Sequence, residues 1–166
     1  MRKRFVLMGV TGSGKSTLGK ALRDEAGYAF VDGDDLHPEA NRQKMAAGAP
    51  LTDADRKPWL EAIARQLRQW QADDATGALA CSALKRSYRG VLREQGGVFG
   101  LVYLRSTPAL SRSRLEHRGG HFMPATLVDS QFATLEEPAP DEHALVLKAD
   151  APLHDNVAAI LAADWS

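Results

Sequence analysis

Apolar runs of strand length alternate along this chain with longer stretches in which apolar residues return every three or four positions. The runs are Arg4–Gly9 (RFVLMG), Tyr28–Val31 (YAFV), Leu79–Cys81 (LAC), Val98–Leu104 (VFGLVYL) and Ala144–Leu147 (ALVL). The first helix begins within GKSTLGKALRDEAG and ends near Gly27. A second, PEANRQKMAAG, has Pro38 suited to its first turn and Gly48 to its C-terminal cap. Thr52 or Asp53 caps a third, ADRKPWLEAIARQLRQWQADD, in which Trp59, Ile63, Leu67 and Trp70 recur at helical spacing and read as core packing rather than a substrate platform. Strands separated by helices predict an α/β fold: a parallel sheet covered on both faces, with ligands beyond the carboxyl ends of its strands. There is no internal repeat or linker. Gly119-Gly120 and Glu137–Asp141 (EPAPD) punctuate a region late in the chain that reads as mobile.

Composition narrows the class. A length of 166 residues suits one domain, and 44% hydrophobic with 25% charged residues is the balance of a globular chain rather than a disordered one. Twenty-one Lys+Arg match twenty-one Asp+Glu, so no long-range field draws nucleic acid or anionic lipid; any anion has to be held by a local site. One cysteine, Cys81, permits neither an intramolecular disulfide nor a cysteine-based zinc cluster, which fits a reducing compartment, the cytoplasm by default. The opening MRKRFVLMGV is too short in its apolar part for a secretory signal and reads as a buried strand. No window reaches the roughly 18 apolar residues that span a bilayer.

Chemistry enters at Gly9-Val10-Thr11-Gly12-Ser13-Gly14-Lys15-Ser16, a match to G-x-x-x-x-G-K-[S/T] placed between a predicted strand and a predicted helix, with Thr17 following. Glycines let the backbone wrap phosphate oxygens, so that successive N–H groups and the helix N-terminus face negative charge. Lys15 is placed to reach the β- and γ-phosphates of a nucleoside triphosphate such as ATP, and the Ser16 hydroxyl to ligate Mg²⁺. Two classes share this cradle, GTP-hydrolysing switches and kinases. The guanine-reading N-K-x-D is absent, and the D-x-x-G at Asp74–Gly77 precedes its nearest strand instead of following one, which favours a kinase.

Residues 32–35 read DGDD, directly after the second apolar run. If that run is a strand, alternation along an extended segment points Asp32 and Asp34 to one side, with Gly33 allowing close approach. A carboxylate beside a triphosphate is repelled unless it serves a metal or a proton donor; one of Asp32 and Asp34 near Mg²⁺ and the other near an acceptor hydroxyl answers that objection. The competing reading is a polar capping turn before Pro38, and Asp35 keeps that role.

At this point the chain closely resembles the gluconokinase family of P-loop small-molecule kinases, related in fold to shikimate and nucleoside monophosphate kinases. The resemblance rests on GVTGSGKST, DGDDLHPEANRQKMAAGAPLTDADRKPWL, ACSALKRSYRGVLR and RGGHFMPATLVDSQFATLEEP, and covers nearly the whole length. It implies a three-layer α/β/α sandwich with a five-stranded parallel sheet, one domain over 1–166, a mobile lid at about 112–140, and ATP-dependent phosphorylation of D-gluconate at the 6-hydroxyl. It also leaves a homodimer as an expectation, although no sequence pattern marks an interface.

A polyol with one carboxylate needs hydroxyl acceptors, hydroxyl donors and a cation. Asp34 is the candidate acceptor, and His37 either donates or accepts. Arg56 and Lys85 are candidates for the carboxylate or the transferring phosphate, while Arg42 and Lys44 read as a solvated helix face. Cys81 reads as a small buried hydrophobe rather than a nucleophile. In the segment Leu110–Arg118, Arg114 and Arg118 share a helix face at i and i+4. By resemblance to related kinases Arg118 is assigned to adenine and Arg114 to phosphate. His121 has no His/Cys partners, so zinc is rejected.

Overall fold

The computed structural model describes residues 4–118 and 126–165, the side chain of Arg118 excepted; the Gly119-Gly120 and His121 readings, the side chain of Arg118 and the middle of the expected lid lie outside the described residues. Strands β1 (Arg4–Met8), β2 (Ala29–Asp32), β3 (Gly77–Ala80), β4 (Gly100–Arg105) and β5 (Leu145–Lys148) form a parallel sheet in the order β2-β3-β1-β4-β5. The helices are α1 (Lys15–Ala26), α2 (Glu39–Ala46), α3 (Asp53–Ala72), α4 (Arg86–Gly96), α5 (Pro108–Arg118), α6 (Thr126–Thr134) and α7 (Leu153–Ala162).

The unbroken apolar spelling of β1 follows from burial on both faces. Val6 pairs in register with Leu79 of β3 and Leu101 of β4, and all three join Trp59, Ile63, Leu67, Trp70 and Leu92 in a core beneath α3 and α4. Phe5 and Leu7 point the other way, into a second core with Leu18 and Leu22 of α1 and Val157 and Ile160 of α7. The tryptophan stripe of α3 is therefore core, as its spacing predicts, with Trp59 1% exposed. Truncating a side chain of that size in such a place costs about 3–5 kcal/mol.

Element ends depend on local chemistry. Thr52 caps α3: its hydroxyl accepts from the Asp55 N–H at 3.1 Å, and its own N–H donates to Asp55 Oδ2 at 2.9 Å, which satisfies two otherwise orphaned donors. Pro38 occupies the position just before α2, and Gly48 follows the end of that helix at φ +81°. β3 starts two residues earlier than its apolar run because Gly77, a poor strand former by propensity, is there to fit the Trp70 ring; a Cβ would stand 2.7 Å from Trp70 Cε3.

The buried side of α4 is disguised by charge. Its Arg89 is 0% exposed and donates through Nε and Nη2 to the two oxygens of Glu142, at 2.7 and 3.0 Å, and through Nη1 to the Ala83 carbonyl at 2.8 Å. Burial pushes the Glu142 carboxyl up, but Arg89, the Ala139 N–H and Arg93 outweigh it and bring its pKa down to about 2. The pair fixes the loop after β3, where Ala83 holds φ +46°. Since β1 lies between β3 and β4, the crevice at the carboxyl ends of these strands opens at the turn that follows β1.

Candidate active site

That turn is the glycine-rich segment. Gly14 adopts a left-handed conformation and starts α1, so the helix N-terminus faces the loop's interior. Gly12, at φ +78°, is also a close approach: a Cβ there would lie 2.7 Å from the Ser111 carbonyl oxygen of α5. The loop is moored to its neighbours by the Gly9 N–H, which donates to the Ser82 carbonyl at 3.3 Å. Lys15 Nζ donates to the carbonyls of Gly9 at 2.8 Å and Val10 at 3.0 Å, holding the ammonium over the cradle.

β2 delivers Asp32 to the same place. Its Oδ2 accepts from the Ser16 hydroxyl at 2.6 Å, and its Oδ1 accepts from the Asp34 N–H at 3.0 Å. Residues Gly33–Leu36 form a 3₁₀ turn, so the expected extended alternation of Asp32 and Asp34 is corrected: Asp32 ends a strand and caps the turn, and Asp34 enters the site from its first coil. The functional and capping readings of Asp32 thus coincide in one side chain. Gly33 is required by contact, because a Cβ would come within 2.3 Å of the Ala80 carbonyl oxygen. Among the described residues no group of three or more His, Cys, Asp or Glu could bind a metal alone. A hydroxyl and a carboxylate side by side do suit Mg²⁺, which takes few protein oxygens and keeps waters and substrate phosphates.

An open hollow joins this cradle to the acceptor candidates; Lys15, Ser16, Asp34, His37 and Arg56 all line it. His37 is 8% exposed and stacks on Trp59, with ring centroids 4.2 Å apart and 13° between planes. The Trp59 indole N–H is anchored on the Gly33 carbonyl at 2.8 Å, so a core residue also forms a wall of the site. Burial, then the charges of Arg56 and Arg42, lowers the His37 pKa to about 4, and the ring is neutral at physiological pH. Arg56 Nη1 donates to the Leu51 carbonyl and the Tyr88 hydroxyl, each at 2.9 Å, with its guanidinium carbon 5.2 Å from the Tyr88 ring centre.

Lys85 does not join them. Its Nζ turns to the Asp53 carboxylate at 3.1 Å and lies 5.5 Å from the Tyr88 ring centre, while Tyr88 donates to the same carboxylate. Lys85 is not among the residues that line the hollow; its ammonium pairs with Asp53 at the start of α3. Lys44 is paired with Asp55 at 2.6 Å, and Arg42 lies beside Asp35 at 3.7 Å. Cys81 is buried and its thiol pushed up to about 12, as expected of a packing residue.

On the far side of the loop, a second hollow is lined by Ser13, Thr17, Leu104, Arg114, Ala149 and Asn156 among others. Arg114 Nη1 donates to the Ser13 carbonyl at 2.8 Å and Nη2 to the Ala149 carbonyl, which ties α5 to the back of the phosphate cradle. Two contacts escaped the sequence reading. Gln131 of α6 accepts from the Thr11 N–H at 2.6 Å across 120 positions of sequence, and Asn41 of α2 contacts His37 at 3.1 Å. Gln131 lies inside a quoted motif, but no spacing rule singles out one amide.

The geometry places a phosphate cradle between two hollows, one on the side of α5 and one carrying a carboxylate, an imidazole and a guanidinium. A family model described as an AAA domain matches residues 5–138. The fold is shared with shikimate kinase from Aquifex aeolicus, at 17% identity over 95% of this chain and 93% of that one and a TM-score of 0.59. The fold is therefore one that P-loop kinases share. Thermoresistant gluconokinase of Escherichia coli (strain K12) is 43% identical over 95% of this chain and 90% of its own length. The crystal structure of a gluconokinase from Sinorhizobium meliloti 1021 superposes with a TM-score of 0.84 at 43% identity, covering 98% of this chain and 92% of that one. An unliganded sugar kinase from Janibacter sp. HTCC2649 gives a TM-score of 0.90 at 39% identity over 97% and 93%. The chain belongs to the gluconokinase family.

Proposed function

We propose that this chain transfers the γ-phosphoryl group of ATP to the 6-hydroxyl of D-gluconate, giving 6-phospho-D-gluconate and ADP. The observation that carries the reading is the single hollow in which Lys15 and Ser16 of the cradle face Asp34, His37 and Arg56. Its contents match what a polyol acid requires: Asp34 accepts from hydroxyls, and Arg56 faces the carboxylate.

The loop amides from Gly9 to Ser16, with Thr17 and Lys15, hold the phosphates and stabilise the charge that moves onto the leaving oxygen. Ser16 and Asp32 would hold Mg²⁺, which when bound neutralises phosphate charge. Asp34 orients the 6-hydroxyl for in-line attack and receives its proton as the new P–O bond forms. Arg114 already touches the back of the cradle and serves the phosphates; Arg118 is assigned to adenine by family resemblance. The segment around 112–140 acts as a lid that excludes water and so suppresses idle ATP hydrolysis. A homodimer and a cytoplasmic setting are inferred from the family and from the single cysteine; among the described residues no helix is long and apolar enough to cross a membrane. A coupled assay of ADP release tests the reaction: gluconate should accelerate turnover, and ATP hydrolysis indifferent to gluconate overturns it.

A further inference from the structure

We propose that Asn41 fixes the tautomer of His37, so that the imidazole meets the acceptor as a neutral Nε2–H donor to one hydroxyl oxygen. The inference deepens the gluconate reading and rests on it for the identity of the acceptor.

The argument is one of donors and acceptors. Asn41 is 4% exposed, and one polar end of its amide lies 2.8 Å from the Asp55 carbonyl oxygen and 3.1 Å from His37 Nδ1. A main-chain carbonyl only accepts, so the end facing it is the NH₂ group, which has two hydrogens. One hydrogen goes to Asp55 and the other to the imidazole. A ring nitrogen that accepts carries no proton, and a neutral imidazole has one N–H, which therefore sits on Nε2.

Rotation cannot undo this without loss. The ring lies flat on Trp59, itself tied to the Gly33 carbonyl, and turning it over would put a C–H against the Asn41 hydrogen. No described residue partners Nε2, it is not among the buried unpaired atoms, and His37 lines the hollow, so Nε2 opens towards the ligand. The charged groups that bear on the ring, Arg56 and Arg42, both oppose a second proton. Asp34 then accepts from a hydroxyl while His37 donates to one. The device selects a group with a lone pair at that carbon; a hydrogen cannot accept, and neither can an ammonium.

The test begins without substrate. ¹⁵N-histidine spectra of the whole enzyme at pH 7, with the His37 signal assigned by its loss in His37→Phe, should show a protonated Nε2 and a bare Nδ1. An Nδ1–H ring or an imidazolium overturns the inference. Asn41→Asp presents an acceptor in place of a donor and should move the proton to Nδ1; an unchanged tautomer removes Asn41 from the role. In turnover, the wild type should lose roughly 10- to 100-fold in kcat/KM on one member of a monodeoxy-gluconate series and on its amino counterpart. His37→Phe keeps the ring stack and should be indifferent at that carbon, so the donor role stays testable even if Asn41→Asp does not fold. Equal discrimination in His37→Phe and wild type sinks the donor role. Absence of any gluconate phosphorylation by wild type indicts the proposed function instead, since the tautomer is read without substrate.

Discussion

At the phosphate end of the cleft the loop Gly9–Ser16 is one contiguous stretch and presents mostly backbone groups. At the acceptor end the lining side chains of Asp34, His37 and Arg56 come from three separate places, a 3₁₀ turn, the link before α2, and α3. The first end is specified by conformation, with Gly12 and Gly14 in left-handed geometry and a helix N-terminus behind them. The second is specified by packing, with Trp59 holding the turn through Gly33 and holding His37 by stacking. In the proposed reaction the first kind of site reads only a phosphate chain, and discrimination among acceptors falls to the second.

The sharpest way to break the comparison is to remove the lysine of the loop itself, Lys15. Lys15→Met should reduce kcat by about 10²–10³-fold on every acceptor alike, because the lost stabilisation concerns the transferring group. An acceptor-dependent loss would blur the two ends. Asp34→Asn should reduce kcat by about 10²–10³-fold with ATP affinity within a few-fold of wild type, as measured by calorimetry. A matching fall in ATP affinity would move Asp34 to the phosphate side.

A pH experiment sharpens the packing half. The folded His37 pKa of about 4 lies below the ordinary value of 6.5, so the neutral buried ring contributes stability that is complete above pH 6.5 and lost as pH falls through about 4. Over that window wild type should lose about 3 kcal/mol relative to His37→Gln in urea unfolding. Glu142, whose depressed pKa is about 2, contributes stability present above its ordinary carboxylate range and lost only at lower pH, so it keeps its charge through most of the His37 window. Equal slopes for the two proteins would show that His37 is not held neutral by its surroundings. The smallest effect is expected at Lys85. Its partner is an exposed Asp53, and Lys85→Ala should change the gluconate KM by no more than about five-fold.

These contrasts also explain what could be read in advance. The strands, α1 and the cradle were legible because burial on two faces and a glycine-rich turn each leave a local pattern. DGDD pointed to the right edge of the sheet, but the extended alternation assumed for it failed, since Asp32 itself caps a 3₁₀ turn. Trp59 was legible as core and not as wall, because spacing reports which face of a helix is buried and not what its edge touches. Asn41 and Arg89 look like surface polar residues until Asp55, His37 and Glu142 are brought to them. Gln131 meets Thr11 through a single side-chain-to-backbone bond between distant segments, a contact that leaves no periodic trace.

The central claim is that one hollow couples a nucleotide cradle to a polyol-acid reader. The most direct measurement is initial-rate phosphorylation of a panel of acceptors at fixed ATP, with the product of the best one located by ³¹P NMR. The account predicts the highest kcat/KM for D-gluconate and a phosphoryl group on its terminal hydroxyl. Preference for shikimate or another acceptor, phosphorylation at a different carbon, or ATP consumption without a phosphorylated acid would contradict it.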